Sequence, residues 1–164
     1  MSDSIRSVLF LCTGNSARSI LAECTLNREG QGRFRAFSAG SQPTGKVNPY
    51  ALELLASESY PVEGYRSKSW DEFSGPDAPD IDYIITVCGN AANEVCPVWP
   101  GHPATAHWGV PDPAAVSESE EASRQAFRQA YTTLRNRIGL FLALPFETLE
   151  RPVLQKRLEE IGTT

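Results

Sequence analysis

Cys12 and Arg18 are the first residues in the chain whose types and spacing fit covalent chemistry on an anion. A cysteine attacks as its thiolate, which forms where N–H dipoles or a guanidinium offset the negative charge. Between the two lie Thr13, Gly14, Asn15, Ser16 and Ala17, and Ser19 follows. Gly14 and Asn15 are the types that take left-handed backbone angles. Such a loop turns successive N–H groups inward as a nest, and a helix N-terminus beyond it closes the cradle. A tetrahedral dianion fits there, and Arg18 grips two of its oxygens with a planar fork. Ser16 and Ser19 add hydroxyl hydrogen bonds to the thiolate or the loop. The same pocket is expected to lower the Cys12 pKa, so Thr13 to Ser19 bind the oxyanion and activate its attacker together. Set against this is a cysteine that merely packs at the end of a core strand.

Elements that would position this loop can be read on either side of it. Ser7–Leu11 is a short apolar run suited to a buried parallel strand, and Ile20–Asn27 reads as a helix. Arg33–Ser38 is a second strand, ended by Gly40. Asn48-Pro49 opens a second helix through Ser57, with Leu52, Leu54 and Leu55 as core candidates. Ser69–Phe73 adds a helical turn, Asp82–Cys88 a clear interior strand, and Thr105–Trp108 a fourth strand. From Ser117 the chain turns helical, with Ser117 and Glu120 spaced as a capping box. Ala126, Ala130, Leu134, Ile138 and Leu142 recur at i+4 as its buried stripe. Leu149–Ile161 reads as a weaker terminal helix, loosely docked.

This alternation predicts an α/β fold: a single-domain, doubly wound, parallel four-stranded sheet with helices on both faces. One domain over residues 1–164 also fits the length. In such sheets ligands sit beyond the carboxyl ends of the strands. Cys12 and Cys88 both fall there.

The bulk numbers narrow the partners. A net charge of −5, from 15 Lys+Arg against 20 Asp+Glu, argues against nucleic acid, whose backbone needs a basic face. No apolar run is long enough to span a bilayer, and Val8–Cys12 is too short for a signal-peptide core. A cytoplasmic location is therefore expected, where thiols stay reduced. His102, His107 and the four cysteines make no standard zinc pattern, so no metal is expected in the chemistry.

The string Cys12–Ser19 followed by Ile20-Leu21-Ala22-Glu23 resembles the low-molecular-weight protein tyrosine phosphatases and the arsenate reductases that share their fold. The resemblance extends to Phe37-Ser38-Ala39-Gly40, Val47-Asn48-Pro49, Thr86-Val87-Cys88, His107-Trp108-Gly109 and Asp112-Pro113. It covers about residues 6–140 and leaves the final helix, about 149–161, outside. It implies Cys12 as nucleophile, Arg18 as oxyanion clamp and Asp112 as general acid, against the alternative of a plain Asp-Pro surface turn.

Two features separate the branches of this family. The phosphatases carry aromatic residues after Asp-Pro, where this chain has Ala114 and Ala115. Cys88 and Cys96 flank Gly89–Val95 in a way that resembles the redox segment of the reductases. The resemblance implies a relay in which Cys12 attacks arsenate, Cys88 attacks Cys12 and releases arsenite, and Cys96 moves the disulfide onto itself. An external thiol, a thioredoxin or glutaredoxin type or a low-molecular-weight thiol, then restores the enzyme. The alternatives are phosphomonoester hydrolysis through a Cys12 phosphoenzyme, with Cys88 and Cys96 incidental, and a non-enzymatic oxyanion-binding or redox-sensing module.

Eight residues of helix span about 12 Å, beyond the roughly 7 Å that a disulfide bridges. The 88–96 segment is therefore expected to loop or partly unwind. Cys24 is expected to pack. His107 and Trp108 are expected to pack near the Asp112 loop. The resemblance also implies a possible potassium site at Asn15, Glu23 and Ser38, with Lys68 standing where a further acidic ligand is expected. No tightly bound cofactor is expected.

Overall fold

The structure, a computed structural model, describes residues 5–61, 64–87 and 104–164. Four parallel strands, β1 (Arg6–Cys12), β2 (Phe34–Gly40), β3 (Tyr83–Thr86) and β4 (Ala104–His107), lie in the order β2-β1-β3-β4. The order reverses at β1, so the crevice at its carboxyl end is where a ligand belongs in such a sheet. Cys12 stands at that end, paired with Gly40 of β2.

Alternation along the strands decides what each face meets. Val8, Phe10, Ala36, Tyr83 and Ile85 point to one face, and four helices cover it: α1 (Arg18–Glu29), α2 (Pro49–Ser57), α3 (Glu120–Leu142) and α4 (Arg151–Ile161). Leu9, Leu11, Ala39 and Ile84 point to the other. Among the described residues that face is covered by Phe73 and Trp70 of a 3-10 turn, Trp70–Phe73. Burial of this apolar area is the main force holding the layers together.

Two expectations need correction. Ser119, not Ser117, caps α3: its hydroxyl accepts from Ala122 N at 3.0 Å. Ser123 Oγ donates to Val116 O, which holds Val116 in the approach to the helix. The buried stripe of α3 is accordingly Phe127, Ala130, Tyr131, Leu134, Ile138 and Phe141, and Ala126 and Leu142 flank it half-buried. Nor is α4 loosely docked. Leu154, Leu158 and Ile161 are buried, and the Trp108 indole donates to Leu158 O at 2.8 Å. The amide of Gln155 exchanges hydrogen bonds with the backbone of Thr105 in β4. The polar periodicity of this segment concealed three apolar anchors that are enough to seat it.

No helix among the described residues is long and apolar enough to cross a membrane.

Candidate active site

The loop after β1 takes its shape from its carbonyls. Cys12 O accepts from Ser41 N at 3.3 Å, Thr13 O from Gln42 N at 2.9 Å, Gly14 O from Thr44 N at 3.0 Å, and Ser16 O from Asn48 N at 2.8 Å. The Ser67 hydroxyl also donates to Gly14 O at 3.0 Å. With these carbonyls held by the 41–48 segment, the peptide planes of the loop turn their N–H groups away from that segment. Asn15 sits in the left-handed region at φ 47°, and its N–H donates to Cys12 Sγ at 3.2 Å. Gly40 must be glycine for the loop to lie this close, since a Cβ there would come within 2.5 Å of Thr13 O.

α1 begins directly at Arg18. Ala17 at its N-cap has no side-chain acceptor, so the first-turn amides are available to a ligand anion. Beneath the loop, Cys12 Sγ lies 2.9 Å from Ser19 Oγ, and Asn15 Nδ2 donates to the same oxygen at 2.8 Å. Asn15 Oδ1 in turn accepts from Lys68 N at 2.8 Å. Cys12, Asn15 and Ser19 are all buried.

Arg18 crosses to the far wall. Its Nη1 donates to Val110 O at 2.9 Å, and its Nη2 lies 3.8 Å from Asp112 Oδ2. The arginine is largely buried and the aspartate half exposed, at 13% and 48%. Asp112 Oδ1 caps the short 3-10 turn Pro113–Ala115 by accepting from Ala114 N at 3.0 Å. Ala114 and Ala115 are exposed. The structure thus joins Arg18 at the start of α1 to Asp112 after β4, beside the loop that carries Cys12. Such an arrangement can bind a tetrahedral oxyanion, attack it with sulfur and offer a carboxyl to a departing oxygen.

Behind the loop, Ser38 Oγ donates to Glu23 Oε1 at 2.5 Å. Burial raises the Glu23 pKa, against the hydrogen bond from Ser38 and the charges of Lys68 and Arg66. Burial lowers the Lys68 pKa, against the charge of Glu23. Glu23 and Ser38 meet as expected, while Asn15 Oδ1 accepts from Lys68 N and its Nδ2 donates to Ser19. Cys24 is a packing residue: burial pushes its thiol up to about 12. His107 Nδ1 lies 2.7 Å from Thr86 Oγ1, and Trp108 is wholly buried. Cys88, Cys96, His102 and the segment joining the two cysteines lie outside the described residues.

Sequence reasoning overlooked the outer ring of Gln42, Thr44 and Ser67 that fixes the loop. Asn48 was visible only as a helix cap, since its side chain accepts from Tyr50 N. That its backbone also holds Ser16 O required the tertiary structure.

The family model for low molecular weight phosphotyrosine protein phosphatases matches residues 7–154. Among curated proteins, the arsenate reductase of Bacillus licheniformis is 33% identical over 84% of this chain and 96% of its own length. That of Bacillus subtilis is 31% identical over 82% and 93%. Among solved structures, an arsenate reductase from Archaeoglobus fulgidus covers 80% of this chain and 98% of its own at 27% identity, with a TM-score of 0.60. An arsenate reductase in a phosphate-binding state covers 82% and 98% at 26% identity and a TM-score of 0.64. With a match running from β1 into α4, the chain belongs to the low molecular weight phosphotyrosine protein phosphatase family.

Proposed function

We propose that this protein is an arsenate reductase that uses Cys12 as its nucleophile. The observation that carries the reading is the sulfur at the floor of an inward-facing amide loop, with donors from Asn15 N and Ser19 on it. The two Bacillus relatives support the reductase branch, as they align over more than four-fifths of the chain. Two alanines after Asp112-Pro113, where an aryl-phosphate site wants an aromatic wall, support it too.

In the proposed reaction arsenate sits on the amides of Gly14 to Ser19 with Arg18 across two oxygens. The Cys12 thiolate bonds to arsenic, and Asp112 gives its proton to the oxygen that leaves as water. The Cys88 thiolate then attacks the Cys12 sulfur. The S–As bond breaks with its electron pair remaining on arsenic, so As(V) becomes As(III) and a Cys12–Cys88 disulfide forms. Cys96 attacks Cys88 and frees Cys12. An external thiol reductant of the thioredoxin, glutaredoxin or low-molecular-weight type takes up the final disulfide, in keeping with a reducing cytoplasm.

A potassium ion on Asn15, Glu23 and Ser38 is an optional part of this scheme, with Lys68 as the competing source of positive charge. Asn15 Oδ1 keeps a second lone pair beside its bond from Lys68 N, and the Lys68 ammonium supplies positive charge near Glu23. Turnover compared in sodium and potassium salts decides it: a faster rate in potassium assigns the ion to this site, and equal rates leave Lys68 in its place.

The test is a single turnover of fully reduced protein with arsenate, with arsenite counted and disulfides mapped by mass spectrometry. About one arsenite per chain is expected, with Cys88 bridged to Cys12 or Cys96. Cys88→Ser should still bind arsenate but fail to turn over repeatedly. Intact thiols with no arsenite, and aryl-phosphate hydrolysis that survives Cys88→Ser, would replace this reading with the phosphatase one.

A further inference from the structure

Arg137 is a buried guanidinium for which the scheme above has no use. It stands in the second half of α3 and is only 6% exposed. A charge in that position is costly unless polar partners replace the water it loses. Among the described residues no aspartate or glutamate pairs with it, and its Nε meets no acceptor. Burial accordingly lowers its pKa. Its acceptors are two main-chain oxygens: Nη1 donates to Gly109 O at 3.0 Å, and Nη2 to Thr164 O at 3.1 Å.

Gly109 belongs to the segment that runs from β4 to Asp112, and that segment is gripped along its length. Trp108 N donates to Thr86 O at 2.7 Å, and Val110 N to Val87 O at 3.0 Å. The Trp108 indole reaches Leu158 O in α4. Two guanidiniums then take consecutive carbonyls, Arg137 that of Gly109 and Arg18 that of Val110. Asp112 stands two residues beyond the second. A general acid works only within about 2.6–3.2 Å of the atom it protonates, and a misplacement of about 1 Å can cost a hundredfold in rate. A clamp three residues upstream is near enough to govern that distance.

We infer that Arg137 is a positioning residue for the general acid. By tying the Gly109 carbonyl to α3 and to Thr164 beyond α4, it sets where the Asp112 carboxyl meets the leaving oxygen above Cys12. The inference rests on the reading of Asp112 as the acid.

The full chain is tested as Arg137→Met, Arg137→Lys, Asp112→Asn and Arg137→Met with Asp112→Asn. Each is read by single-turnover arsenite release and by titration with inorganic phosphate. Arg137→Met should leave phosphate affinity within about twofold, because the Cys12–Ser19 loop is untouched, and should slow release by about 10- to 100-fold. In the Asp112→Asn background it should add nothing, since coupled groups fail to add. Arg137→Lys, which can hold one carbonyl, should recover part of the rate. Should the Met variant not fold, the Lys variant carries the test. It must slow the protein that has Asp112 and leave Asp112→Asn unaffected.

Losses that multiply between the Arg137 and Asp112 changes would overturn the inference, as would an unchanged release rate in Arg137→Met. Asp112→Asn at the wild-type rate would sink the acid reading beneath it, an outcome read without touching Arg137. If no arsenite is released by any protein, the same set is assayed on phenyl phosphate, whose poor leaving group needs the same acid. Inertness there as well overturns both.

Discussion

Ser19 shows how one hydroxyl proton can be directed by its neighbours. Lys68 N donates to Asn15 Oδ1, which fixes the amide so that Nδ2 faces Ser19 Oγ and donates to it. The serine has a single proton, and with its oxygen already accepting, that proton is left for Cys12 Sγ, 2.9 Å away. A hydrogen bond to a charged group contributes about 1.5–3 kcal/mol, so Ser19→Ala should slow site-resolved alkylation of Cys12 at neutral pH about 10- to 100-fold. Phosphate affinity should change little. Alkylation at the wild-type rate would mean that the serine serves the loop and not the sulfur. This cradle is legible in the sequence because Cys12, Asn15, Arg18 and Ser19 lie within a single loop and helix start, where spacing alone fixes their meeting. Arg137 is not legible in the same way. Its partners Gly109 and Thr164 lie 28 and 27 residues away on either side of it, and an arginine in a helix reads as a solvated charge until its surroundings are known.

At the scale of elements, pairing of β1 with β2 and packing of α1 on both decide where polar groups end up. Glu23 on α1 is thereby set, half-buried, against Ser38 on β2. Burial raises its pKa above the ordinary 4.5, and the sign of the consequence follows. Below 4.5 the carboxyl is protonated in folded and unfolded chains alike. As pH rises from 4.5 to the raised folded value, the unfolded chain ionises first, so stability falls through that window. Glu23→Gln abolishes this slope. In melting experiments across this range, the Tm of the variant should gain on the wild type as pH rises. Each kcal/mol is worth about 2–4 °C in a chain of this size. Parallel Tm curves would show that Glu23 is solvated. The strand and helix sequence was readable from apolar runs and caps, but the start of α3 was not. Ser117 and Ser119 both precede acidic residues, and the choice of Ser119 depends on the Ser123–Val116 bond, which no local pattern announces.

The molecule as a whole hangs together through α4, the element whose sequence signal was faintest. Its buried side chains are spaced as Leu154, Leu158 and Ile161, and the largest consequence falls on Leu158, which is fully buried. Its carbonyl holds the Trp108 indole, and that ring packs against Phe10 of β1 and Phe141 of α3. A single helix end thus touches the central strand, the longest helix and the approach to Asp112. Leu158→Ala keeps the carbonyl and its hydrogen bond, so it isolates the contribution of packing. Removing a buried leucine side chain costs about 2–5 kcal/mol, the spread reflecting how far the cavity collapses. If α4 is part of one cooperative core, that loss should appear in the denaturant midpoint of the entire transition, with the slope unchanged. A loss below about 0.5 kcal/mol would mean that α4 is an appendage after all. A first, separate transition belonging to α4 alone would mean that the core ends at α3. The single shifted transition is expected, because Trp108 cannot lose its cover on one side without loosening the strand and helix it packs against on the other.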